Sequence, residues 1–81
     1  MPQPANAMTT LSMWVIYANP RDFPGKHVVR RHVSRADGTY GATDEFEVAD
    51  TLDETREFVP GWAIRLDRQP EDDPVIVETW I

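Results

Sequence analysis

Met13-Trp14-Val15-Ile16-Tyr17-Ala18 is apolar on both parities and rich in β-branched and aromatic side chains. A run of this length with no polar face predicts a strand covered on both sides, most simply a central one. Its surroundings decide what kind of sheet it joins. Asn19-Pro20-Arg21-Asp22-Phe23-Pro24-Gly25 follows, and its two prolines stop any helix. Phe23 reads as an apolar plug beneath that loop. From Lys26 to Arg35 the side chains alternate, with Val29, Arg31 and Val33 on one face and Val28, Arg30 and His32 on the other. Asp37-Gly38 signals a hairpin. The next strand therefore returns antiparallel, with its best segment at Asp44 to Ala49, where Phe46 and Val48 oppose Glu45 and Glu47.

Thr51-Leu52-Asp53-Glu54 matches a capping box, in which the threonine hydroxyl and the glutamate carboxylate each satisfy an unpaired backbone N–H. The helix it opens has Leu52, Thr55, Phe58 and Val59 inward and ends at Pro60-Gly61 after about two turns. Trp62 to Asp67 alternates again, with Trp62, Ile64 and Leu66 on one side. A polar turn spans Arg68 to Pro74. Val75 to Ile81 reads as the last strand, with Val75, Val77 and Ile81 on one face and Ile76 and Trp80 on the other. The predicted fold is α+β: a small, mainly antiparallel curved sheet of about five strands with one short helix, in the order β-β-β-α-β-β. Met1 to Ser12 has little to bury and is expected to be a mobile tail, with 13–81 as a single domain. Met8 and Met13 are conceivable starts beside Met1.

With 81 residues there is room for one domain. The chain has no cysteine, which excludes disulfides, zinc-thiolate sites and thiol nucleophiles. No apolar run is long enough to span a bilayer, and the N-terminus lacks the pattern of a signal peptide. A cytoplasmic location is the expectation. The formal charge of −6 argues against general affinity for nucleic acid. That charge is unevenly spread. Before Asp37 there are five basic residues and one acid, a balance of +4; from Asp37 onward three basic residues meet thirteen acids, a balance of −10.

The bland consequence is cross-strand pairing of Arg30 or Arg31 with Glu45 or Glu47, each pair contributing less than about 1 kcal/mol. The sharper one is an anion- or nucleic-acid-binding strand made of Arg30, Arg31, His32 and Arg35, with Trp14, Tyr17 or Tyr40 available for stacking. A third is self-association of the basic end of one molecule with the acidic end of another.

Little in the chain points to catalysis. His27 and His32, five apart on a strand, face opposite ways and cannot easily share a metal. Ser12 and Ser34 sit in no nucleophile elbow, and the four glycines form no phosphate loop. Glu71-Asp72-Asp73 lacks the spacing of a calcium loop. No catalytic residue, cofactor or metal is therefore assigned, and a carboxylate enzyme would need two acids converging in a pocket. Geometry supplies the positive expectation. A helix of about eight residues is roughly 12 Å long, whereas five strands span roughly 20–24 Å. The apolar surplus must be hidden by curling, by loop residues such as Phe23 and Tyr40, or by a partner. The leading expectation is thus a non-enzymatic protein-binding module, self-association included, with Trp14, Tyr17 and Trp80 as its partner surface.

Trp14-Val15-Ile16-Tyr17, Pro20-Arg21-Asp22-Phe23-Pro24, and Val28 with Arg30-Arg31 resemble blocks in a family of very short bacterial and phage-associated hypothetical proteins. Asp73 to Ile81 is similar to their ending. About a third of the chain is covered. The resemblance implies a small stand-alone protein and supplies no activity and no functional residue.

Overall fold

A computed structural model describes residues 10–81. Its elements are β1 (Thr10–Ala18), β2 (His27–Arg35), β3 (Tyr40–Ala49), α1 (Leu52–Arg56), β4 (Arg65–Leu66) and β5 (Ile76–Trp80). They form one five-stranded sheet in the order β3-β2-β1-β5-β4, with every neighbouring pair antiparallel. The fold is α+β, as the sequence predicts, and the Met13–Ala18 run lies in the central strand. That strand starts earlier than expected. Thr10, Leu11 and Ser12, assigned above to the tail, pair with Arg35, Ser34 and Val33; the rest of the expected tail, residues 1–9, lies outside the described residues.

Register defines two faces. Trp14, Ile16 and Ala18 of β1 lie beside Arg31, Val29 and His27 of β2, and beside Trp80 and Glu78 of β5. This is the helix face. Met13, Val15 and Tyr17 lie beside His32, Arg30 and Val28 on the opposite, loop face. Each face buries its own apolar centre: Ile16, Val29 and Val33 on the first, Val15 and Val28 on the second. Removing a side chain such as Ile16 from water contributes about 1.5–3 kcal/mol.

The turns behave as their residues dictate. Gly38 adopts φ 90°, and the Asp37 carboxylate accepts from the Thr39 N–H at 3.0 Å and its hydroxyl at 2.7 Å, closing the β2–β3 hairpin. In the β1–β2 loop Asn19 sits at φ 54°, where its side-chain oxygen accepts from the Gly25 N–H. Asparagine tolerates this left-handed region because a local side-chain bond offsets the steric cost. Phe23 packs on Phe46 with ring centroids 5.9 Å apart, which seats the loop on its face of the sheet.

Two bulges rearrange what strict alternation would give. Opposite Ile16 and Tyr17 the β5 partner jumps from Glu78 to Ile76, so Val77 is an extra residue. Ile76 and Trp80, expected on one face, therefore lie on opposite faces. In β3, Arg30 faces Phe46 and His32 faces Ala42, leaving Thr43 to Glu45 opposite Arg31 alone. Thr43 stabilises this bulge: its hydroxyl donates to the Arg31 carbonyl at 2.8 Å and accepts from the Glu45 N–H.

The capping box forms, with Thr51 Oγ1 and Glu54 Oε1 answering each other's backbone N–H at 3.1 Å. The helix is shorter than expected, five residues rather than two turns, because the chain tightens into i to i+3 turns from Glu54 through Val59. Thr55 is its one fully buried residue, and Phe58 is half exposed rather than inward. The predicted strand Trp62 to Asp67 also contracts. A turn closed by Ala63 N–H to the Pro60 carbonyl consumes its start, and the ladder begins only at Ile64. Trp62 turns to the helix face and meets Trp14 edge-on at 5.6 Å, so it does not share a side with Ile64 and Leu66.

Candidate interaction surface

The residues proposed from sequence as an anion site are divided by the pleat. Arg31 and Arg35 lie on the helix face, Arg30 and His32 on the loop face. Each is engaged locally. Arg31 donates to Ser12 Oγ at 2.9 Å and pairs with Glu45. Arg30 donates to the Thr43 carbonyl at 2.7 Å and lies 4.4 Å above the Phe46 ring. His32 shares a 2.9 Å bond with the Tyr17 hydroxyl, and Arg35 reaches Thr39 Oγ1 at 3.5 Å. Burial, with Arg30 nearby, lowers the His32 pKa below the usual imidazole value, so the neutral ring is favoured. Burial likewise raises the Tyr17 hydroxyl above its usual value. The four groups brace the sheet individually and do not converge on one ligand.

Trp14 and Trp80 are a direct cross-strand pair on the helix face, whereas Tyr17 lies on the loop face. One partner surface cannot include all three, and each is half-buried. The more exposed apolar side chains lie elsewhere.

Beside Trp80 on β5, Glu78 is a nearly buried carboxylate paired with Arg56 of α1. Glu78 Oε1 accepts from Arg56 Nε at 3.1 Å and from Trp80 Nε1 at 3.0 Å, while Oε2 pairs with Arg56 Nη2. The Glu78 side chain is only 7% exposed. The Arg56 guanidinium holds its carboxyl below the usual glutamate range. Arg56 also reaches Asp53 at 3.0 Å, so this constellation ties α1 to β5. Its geometry is that of a clamp in which both carboxylate oxygens of Glu78 accept hydrogen bonds.

Two open grooves flank the sheet. On the helix face Trp14, Val29, Arg31, Glu45, Glu47 and Phe58 line a space of about 430 Å³. Carboxylates do converge there, but Glu45 is neutralised by Arg31, and no serine or histidine lines it. On the loop face Tyr17, Phe23, Val28, Arg30 and Asp73 border a groove of about 480 Å³. His27 and His32 face opposite ways, and no group of three metal-ligating side chains occurs among the described residues. Asp72 and Asp73 are occupied in the turn, accepting from the Gln69 and Val75 N–H groups. No helix among the described residues is long and apolar enough to cross a membrane.

The margin at β4 is different. Ile64 and Ile81 exchange both main-chain bonds, at 2.7 and 2.9 Å, extending the β4–β5 ladder by one pair. Ile64, Leu66 and Ile81 are 67%, 41% and 39% exposed. Register puts all three on the loop face at the end of the sheet. The beginning of β1 projects past β5 there, so Leu11, also exposed, adds to the same apolar corner. The sequence reading named Ile64 and Leu66 as one side of a strand without assigning them to a surface. The missing signal was the length of β4: two residues leave it at the edge of the sheet among the described residues.

No protein-family model, curated protein or solved structure matches the chain.

Proposed function

We propose that the chain is a non-enzymatic protein-binding module whose binding surface is the apolar margin formed by Ile64, Leu66 and Ile81. The observation that carries the reading is the coincidence of that exposed apolar corner with an open strand edge. Monomeric proteins rarely leave contiguous apolar area uncovered, and an unpaired edge is a template for another strand. The five-residue helix lies over β1, β2 and β3 and does not reach β4. Support for an anion-binding role is weaker, because the basic side chains named for it are separated and locally bonded.

The test is a double substitution, Ile64→Glu with Leu66→Glu. Both positions are exposed, so the variant should retain the circular dichroism and thermal transition of the wild type. It should lose the concentration-dependent association and the capture of host protein expected of the wild type. Identical behaviour of the two chains in both assays would remove the proposal.

A further inference from the structure

We infer that the β4 edge receives a second copy of the same edge, antiparallel and two-fold symmetric about Leu66, joining two sheets into one of ten strands. This rests on the binding surface proposed above and names its occupant. Main-chain groups that point outward decide the register. Ile64 exchanges bonds with Ile81, so Ile64 and Leu66 direct their N–H and C=O groups toward β5. In an antiparallel ladder the alternate residues, Arg65 and Asp67, then direct theirs to the open side. The Asp67 carbonyl also receives the Gln69 side-chain amide at 3.2 Å, and a carbonyl has a second lone pair.

Only registers that match outward groups with outward groups are allowed. Centring on Arg65 sets arginine against arginine, and centring on Asp67 sets aspartate against aspartate. Centring on Ile64 would need the Ala63 N–H, which is already bonded to the Pro60 carbonyl. Centring on Leu66 alone pairs Arg65 with Asp67 of the second copy, twice by symmetry. That register makes four main-chain hydrogen bonds and two opposite-charge pairs, and it brings the two Leu66 side chains together as a close, non-hydrogen-bonded pair. Ile64 and Ile81 flank them on the same face.

The side chains are available for this. Asp67 has no ion-pair partner among the described residues, and Arg65 is 54% exposed and only 3.5 Å from a Glu78 carboxylate already held by Arg56 and Trp80. The other edge does not self-pair in this way. β3 carries Asp44, Glu45 and Glu47 and no basic residue, so a second β3 would meet like charge.

The interface is small and belongs with transient complexes, so association is measured by sedimentation and light scattering up to about 1 mM. The wild type is expected to dimerise. Arg65→Asp and Asp67→Arg should each raise the dissociation constant about tenfold, since each turns two attractions into two repulsions. The double variant R65D/D67R should return to within about threefold of wild type. Because the chain has no cysteine, Leu66→Cys should form an intermolecular disulfide on mild oxidation, and Arg21→Cys in the distant loop should not. A wild type that stays monomeric overturns the inference. So does a double variant as weak as the singles, or a Leu66→Cys chain that cross-links no faster than Arg21→Cys. Monomeric wild type that still captures another protein through Ile64 and Leu66 removes the second copy and leaves the proposed surface standing; loss of both removes both.

Discussion

Replacing Glu78 with glutamine keeps the shape of the side chain and removes its charge beneath α1. The carboxylate receives four N–H groups, two from Arg56, one from Trp80 and, at 3.5 Å, one from Arg65. Glutamine retains one carbonyl oxygen but turns an NH₂ group toward Arg56, donor against donor. Breaking a buried ion pair from one side costs about 3–5 kcal/mol. Here the Arg56 side chain is 37% exposed and keeps Asp53 at 3.0 Å, which lowers the expected loss to about 2–3 kcal/mol. For a domain of this size that corresponds to a fall in Tm of roughly 10–20 °C. Urea denaturation followed by tryptophan fluorescence suits the measurement, since Trp80 bonds the altered group and Trp14 is its cross-strand neighbour. The pH dependence gives a second check. The folded-state pKa of Glu78 lies below its unfolded value, so its contribution is complete above about pH 4.5 and is lost as pH falls through the folded value. The gap between wild type and Glu78→Gln should therefore narrow on acidification. A deficit under about 0.5 kcal/mol at pH 7, or one of the same size from pH 7 down to pH 2, would refute the clamp.

Thr51→Ala removes the hydroxyl that caps α1 and should cost about 1 kcal/mol, read as a lower urea midpoint at unchanged slope. Ile16→Ala empties the fully buried centre of β1; a loss of about 3–4 kcal/mol is expected, read as a lower urea midpoint. His32 has a folded-state pKa below the unfolded one because of burial and Arg30, so the unfolded chain takes up its proton first. Wild-type stability should fall as pH drops below about 6.5 toward the folded value, and His32→Gln should flatten that slope; equal slopes in the two proteins would count against the burial of His32 beside Arg30.

Several features of the fold were readable because local chemistry dictates them. Thr51 and Glu54 announce the helix start, Asp37-Gly38 the hairpin, and the two-sided apolarity of Met13–Ala18 the central position of β1. What alternation could not show was where it breaks. Val77 and the segment Thr43 to Glu45 are bulges, whose cause is the packing of neighbouring strands rather than any composition signal. The first of these moves Ile76 away from Trp80. Glu78 was legible only as one more acid, because its burial depends on Arg56 arriving from a helix 22 residues earlier. The candidate surface suffered from a related limit. Large aromatics attract attention as contact residues, yet Trp14 and Trp80 are half-buried cross-strand neighbours and Tyr17 bonds His32. The proposed surface is made of smaller aliphatics in and beside a two-residue strand, and their exposure follows from sheet order, which the chain does not spell out.

The unlike margins of the sheet bear on how the protein behaves when crowded. An open ribbon with two receptive sides can lengthen without limit, and such stacking is the route to fibres. Here the β3 side is guarded by carboxylates at Asp44, Glu45 and Glu47. Removing that guard with Asp44→Asn, Glu45→Gln and Glu47→Gln would open the second side, so concentrated solutions of that variant are where thread-like aggregates should first become visible, while the wild type stays clear.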